Sequence, residues 1–171
     1  KKAFMRGADV TIISGKTTAE SPYGVENIKV DSAIEMKEKI ESCIENYDCL
    51  IMAAAVSDFK VKNRKELKIK KQDGIDSLEL EENPDILKSL IKKENQIFIG
   101  FAAETNNLLE NARKKLDKKN LDYIVLNDVS KKDIGFNSEY NKVSVISKDN
   151  ILDIERDTKL NIADRILDLI K

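Results

Sequence analysis

The sequence contains no histidine and no tryptophan, and only two cysteines, two prolines and six glycines in 171 residues. Without histidine there is no Ser-His-Asp or Cys-His catalysis and no imidazole-bound metal. Any metal must be a hard cation held by carboxylates and phosphate oxygens. Cys43 and Cys49 match neither a zinc spacing nor a CxxC redox motif, and their apolar contexts predict buried free thiols in a reducing compartment. No apolar run approaches the length of a membrane span, and no signal-peptide pattern is visible. Neither sign of charge is in excess: 30 Lys and Arg stand against 31 Asp and Glu, for a formal net charge of -1. A nucleic-acid binder carries a basic surplus, so any positive site here is local. These absences predict a cytoplasmic protein with neither a membrane nor a nucleic-acid partner.

What is present is an alternation of strands and helices. Hydrophobic residues make up 41% and charged residues 36%, too apolar for disorder, and 171 residues suffice for one domain with a core. Residues 9–14 and 26–30 predict strands, and Ser32 with Glu35 forms a capping box that opens a helix running to about Ile44. Residues 48–55 predict a strand buried on both faces, as in a parallel sheet. Asn83, Pro84 and Asp85 predict a helix start, with Asn83 as the cap, Pro84 at the first helical position and Asp85 set against the helix dipole. A strand at 96–102, a helix at 105–119 and a strand at 122–126 ending at Asn127 follow. Strands at 142–146 and 151–155 flank a hairpin turn, and a closing helix follows Thr158. Residues 1–6 read as the last turns of a helix stopped by Gly7, which predicts an upstream strand and loop.

The alternation predicts an α/β fold: a Rossmann-like doubly wound parallel sheet forming a single domain over 1–171, with its first strand and the loop after it missing. A small flap at about 60–82 and a late antiparallel hairpin depart from the alternation. In such sheets ligands bind beyond the carboxyl ends of the strands. Two strands end in small residues followed by an acid: Ala53-Ala54-Ala55 before Asp58, and Ala102-Ala103 before Glu104. Small residues let a flat ligand approach the backbone, although alanines also simply pack helix on sheet.

Lys68 and Lys70 share one face of an extended segment and suit a polyphosphate. A solvated edge strand explains them equally. Lys115 and Lys119, four apart on the helix at 105–119, share a face and by themselves read as surface. Phe101 at a strand end offers a ring for a nucleobase, although such a residue is more often core.

Taken together, AAAVSDF (53–59), KIKK (68–71), NPDIL (83–87), GFAAET (100–105), NDV (127–129) and GFN (135–137) resemble, in order and spacing, the phosphopantothenoylcysteine synthetase family. That family forms the C-terminal half of bacterial bifunctional coenzyme A biosynthesis flavoproteins, and the likeness runs from Arg6 to the final helix. It implies a ligase acting in two steps. The carboxylate of 4'-phosphopantothenate attacks the α-phosphate of CTP, with Mg2+ or Mn2+, to give an acyl-cytidylate and pyrophosphate. The amine of L-cysteine then displaces CMP.

The resemblance assigns Lys68 as the chief catalytic lysine, on the phosphate and the acyl-cytidylate. It places Met52, Ala53, Ala54 and Asp58 at the nucleotide, with Asn83, Pro84, Asp85 and Ile86 lining the base and ribose pocket. Phe101, Lys115 and Lys119 complete the site. Metal ligands stay open, with Asp58 as the candidate. Flavin (FMN) belongs to the decarboxylase half of the fused proteins, and the family's upstream Gly/Ser-rich loop lies outside this sequence. Homodimers are also implied, and the apolar hairpin at 141–155 is the expected interface. CTP rather than ATP follows only from the resemblance. Two other classes remain compatible with the residues: a truncated, non-catalytic nucleotide-binding or oligomerisation module, and a nicotinamide-binding Rossmann domain.

Overall fold

The computed structural model describes residues 1–63, 67, 70, 77–104, 108–128 and 138–170, apart from the side chains of Glu104, Leu108 and Asp128. The chain begins with a short helix α1 (Lys2–Met5), and Gly7 follows in the left-handed region at φ +85, as a helix stop requires. Strands β1 (Thr11–Ser14) and β2 (Glu26–Lys29) pair in parallel. Helix α2 (Ala33–Cys43) opens on the predicted capping box: Ser32 Oγ accepts from Glu35 N–H, and Glu35 accepts from Asp31 N–H at 2.9 Å. Strand β3 (Cys49–Met52), a ribbon of β4 (Phe59–Val61) and β5 (Leu80–Glu82), and the short helix α3 (Ile86–Ser89) come next. The remainder is β6 (Ile97–Glu104), α4 (Leu108–Lys118), β7 (Tyr123–Asp128), the antiparallel hairpin β8 (Tyr140–Ile146) and β9 (Ile151–Thr158), and α5 (Lys159–Leu167).

The main sheet has the order β3-β6-β7-β8-β9, parallel across its first three strands and antiparallel in the hairpin corner. One face, with Phe98, Ala102, Ile124 and Leu126, packs on α2, α3 and α4 through Met36, Ile40, Ile86, Ala112 and Leu116. The other, with Ile99, Val125, Val143, Val145 and Ile154, is covered by Ile162 and Ile166 of α5. Helices on both faces make the architecture Rossmann-like and α/β, as the alternation predicts.

The predicted single parallel sheet is interrupted, however. Among the described residues β1–β2 forms a separate two-stranded sheet that does not hydrogen-bond to β3. An apolar slot of about 780 Å³ lies between them. Consecutive residues of both flanking segments, 10–13 and 48–54, line it, so strand edges rather than one pleated face form its walls. Met36 and Ile40 of α2, with Leu167 and Ile170 at the end of α5, also line it. The slot is lined as a parallel strand placed between β1 and β3 would require. This corrects the reading of 48–55 as a strand buried on both faces: β3 is an edge, only partly buried, and it ends at Met52.

Candidate functional site

The site begins at a step in the sheet. β3 pairs with β6 only from Cys49↔Ile97 to Met52↔Gly100, whereas β6 continues to Glu104 beside β7. Phe101 is therefore the first residue of β6 with no β3 neighbour, and it is 41% exposed. Beside it the chain of β3 leaves the sheet through Ala53 and Ala54, both exposed, and their small side chains leave the ledge open. Gly100, level with Met52, lies under Leu121: a Cβ there would be 2.7 Å from Leu121 Cδ1, so the leucine side chain would have to shift.

Asn83 ties the outgoing loop to the ribbon. Its Nδ2 donates to Ser57 C=O at 2.9 Å and its backbone N–H donates to Asp58 C=O at 2.8 Å. Asp58 is thereby anchored through its main chain, with its carboxylate exposed. The helix cap is not Asn83, as predicted, but Asp85, whose Oδ1 accepts from Lys88 N–H at 3.3 Å. Pro84 accordingly precedes the cap rather than opening the helix. The displacement has a local cause: Asn83 is still paired with the strand-end loop, so the chain turns helical two residues later. Ile86 is 3% exposed and its side chain lies in the core, which leaves only its backbone to meet a ligand.

The structure sorts the lysines of α4 in a way that spacing could not. Lys114 and Lys118 are exposed, and Lys114 pairs with Glu110 at 2.6 Å. Lys115 and Lys119 are half-buried, and Lys119 Nζ reaches Asp85 Oδ1, the cap of α3, at 3.3 Å. Lys119 lies just beyond the helix, where Asn120 adopts φ +50 and Leu121 N–H returns to Leu116 C=O. Met52 ends β3, Ala53, Ala54 and Asp58 follow it out of the sheet, Asn83 is bonded to that outgoing loop, Asp85 meets Lys119, and Phe101 stands exposed on β6, where strand alternation puts it on the face opposite α3 and α4. Lys68, the residue assigned to catalysis, lies outside the described residues, as do Lys71, Val129 and the GFN stretch at 135–137.

One group was named in the sequence as a strand end and as part of the NDV motif, with no role at the site. Asn127 stands one residue before the end of β7, in register with Ala103 of β6, and its Oδ1 is buried with no hydrogen-bond partner among the described residues. A lone amide ending an apolar strand was the available signal, and a buried acceptor left open invites a donor from outside. No cluster of three or more metal-ligating side chains forms among the described residues. Magnesium commonly takes one or two protein carboxylates and fills the rest of its shell with substrate phosphates and water. A lone exposed Asp58 fits that mode and not an all-protein cage. At the slot below, burial pushes the Cys49 thiol up to about 11, with Asp122 and Asp48 adding to it. That thiol is poorly suited to nucleophilic work.

A parallel sheet wound by helices on both faces, open in a ledge at its strand ends, places the chain among the Rossmann-like α/β proteins. The chain belongs to the family described as DNA/pantothenate metabolism flavoprotein C-terminal domain, which matches residues 1–171. It is 46% identical over 149 residues to the coenzyme A biosynthesis bifunctional protein CoaBC of Bacillus subtilis (strain 168), covering 86% of this chain and 37% of that protein. The crystal structure of the C-terminal domain of a coenzyme A biosynthesis bifunctional protein CoaBC superposes with a TM-score of 0.80 at 36% identity, covering 98% of this chain and 76% of that one. A Cab2 mutant in complex with phosphopantothenate-cysteine shares the fold, with a TM-score of 0.59 at 18% identity over 85% of this chain and 51% of that one. The chain spans less than half the length of the CoaBC relative from Bacillus subtilis. Among the described residues no helix is long and apolar enough to cross a membrane.

Proposed function

We propose that the chain carries the ligase step that joins 4'-phosphopantothenate to L-cysteine in coenzyme A biosynthesis, with CTP as the activating nucleotide. The observation that supports this reading is the Asp85–Lys119 pair next to Asn83, which ties the loop carrying Asp58 beyond the end of β3, set in a family that includes a relative named for coenzyme A biosynthesis. The substrate carboxylate attacks the α-phosphorus of CTP and pyrophosphate leaves. The cysteine amine then attacks the acyl carbon, CMP leaves with the bonding pair of the C–O bond, and the amine proton passes to solvent. A free carboxylate needs no general base, so alignment and charge offset suffice, and a site without histidine can supply both.

In this reading Phe101 supplies a face for the base, and Asn127 Oδ1 an acceptor for an exocyclic amine. Ala53 and Ala54 admit the ligand to the backbone. Lys68, Lys115 and Lys119 offset phosphate charge. Asp58 would share in holding a Mg2+ or Mn2+ ion that offsets the charge of the phosphates. The work takes place in the cytoplasm, where the two free thiols stay reduced.

We further assign self-association to the β4–β5 ribbon rather than the 141–155 hairpin. One ribbon face exposes Phe59, Val61, Leu78 and Leu80 at 56%, 39%, 60% and 60%. The hairpin buries its apolar side under α5 and carries Lys142–Glu155 and Ser144–Asp153 on the other. A homodimer buries the ribbon's face by two-fold repetition of one patch.

The test is pyrophosphate release by the natural protein with CTP, Mg2+ and 4'-phosphopantothenate, before cysteine is added. Release is expected, and its absence removes the ligase reading. CTP binding without release would favour the non-catalytic module. Lys68→Ala is expected to slow amide formation far more than it weakens CTP binding, and unchanged turnover would take the catalytic role from Lys68.

A further inference from the structure

Asp85 is where the walls of the ledge are joined. Its Oδ1 accepts from Lys88 N–H, closing the first turn of α3, and also meets Lys119 Nζ from the end of α4, each at 3.3 Å. Two residues earlier, Asn83 fastens the loop that carries Asp58. The side chains of the pair are 29% and 34% exposed, so neither is sealed from solvent. An ammonium has three donors, and one spent on Asp85 leaves two for a ligand.

We propose that Asp85 is a positioning residue, holding the Lys119 ammonium at the ledge so that its remaining donors meet the phosphates of a nucleoside triphosphate. The proposal rests on the nucleotide reading above. Its physical basis is that a free lysine loses rotamer freedom when it binds, whereas one already held by a carboxylate has lost that freedom before the ligand arrives. Capping alone does not require the charge, because asparagine caps a helix as well as aspartate.

Asp85→Asn separates the two jobs, keeping the cap and removing the ion pair. With no nucleotide present, acylation of Lys119 by an N-hydroxysuccinimide acetate, read residue by residue by mass spectrometry, is expected to rise severalfold, with the thermal midpoint unmoved. In the natural protein the KM for CTP is expected to rise about two- to tenfold, the size expected for immobilising one long side chain, with the change falling on KM rather than kcat. In a Lys119→Met background Asp85→Asn is expected to add nothing, because the two residues act as one unit. A KM that falls, stays level, or rises equally in the Lys119→Met background would overturn the proposal, the first by showing the carboxylate to be a competitor of the phosphates. Unchanged acylation would overturn the ion pair itself. If the unmutated protein neither binds CTP nor releases pyrophosphate from it, the nucleotide reading and the phosphate role fall together, and the acylation result alone then identifies the pair as a structural clasp.

Discussion

The β4–β5 ribbon and the β8–β9 hairpin are both antiparallel strand pairs with alternating side chains, and they end in opposite situations. In the ribbon, Lys60–Glu81 and Lys62–Glu79 form an ion-pair ladder on one face, at 3.1 and 3.8 Å, while Phe59, Val61, Leu78 and Leu80 stand uncovered on the other. In the hairpin, Val143, Val145 and Ile154 are sealed under α5, and Lys142 meets Glu155 across the open face at 2.7 Å. Alternation tells which residues share a face. Only the presence of a helix over that face decides whether its apolar side becomes core or remains an interaction surface.

The largest expected effect comes from breaking the covered side. Ile154→Ala removes a side chain with no exposure at all, and should cost about 2–5 kcal/mol in urea unfolding through lost burial and a residual cavity. The matching change in the ribbon, Leu80→Ser, should leave the unfolding free energy of the monomer within about 0.5 kcal/mol. Its effect should appear in association instead. Phe59→Ser with Leu80→Ser is expected to weaken dimerisation by about 1.5–3 kcal/mol per buried side chain, read as a shift towards monomer mass in sedimentation velocity. A dimer unaffected by both changes would remove the ribbon from the interface.

The ion pairs should matter less, and equally in both regions. Lys60→Met and Lys142→Met are each expected to change stability by under about 1 kcal/mol, because exposed pairs are screened by solvent. A large loss at Lys60 alone would mean that the charged face of the ribbon is covered too.

The smallest effect concerns the clasp between hairpin and helix. Asp157, at the end of β9, is held below the usual carboxylate value by the Asn161 side chain first and then by Thr158 N–H. A depressed folded value contributes stability that is present above the unfolded value near 3.8 and is lost as pH falls through the folded one. The urea midpoint should therefore drop slightly more between pH 5 and pH 2 in the unmutated protein than in Asn161→Ala. An identical drop would show that the clasp adds nothing.

Much of this architecture is legible in the order of residues because its signals are local. The capping box at Ser32, the stop at Gly7, the hairpin turn at 147–150 and the Thr158 cap all rest on contacts within a few residues, and each forms where composition places it. Asn83 shows where that legibility stops. As a helix cap it is a sound local reading, yet its amide is engaged by Ser57, 26 residues away, and the cap passes to Asp85. The lysines of α4 show it as well. Four-residue spacing puts Lys115 and Lys119 together, but does not say that both are half-buried and that Lys119 meets Asp85, while Lys114 and Lys118 face solvent.

By itself, the sequence determined the α/β alternation, the absence of histidine chemistry, the helix starts at Ser32 and Thr158, and the small residues at the ends of β3 and β6. These follow from periodicity, composition and backbone preference, which act over a few residues. Tertiary structure alone decided that β3 is an edge stopping four residues short of β6, that the step so created exposes Phe101, and that Asp85 holds Lys119. It also decided which of two alternating strand pairs would be covered by a helix. Register, stagger and coverage depend on where distant segments come to rest, and a strand's own pattern is the same whether its neighbour is long, short or absent.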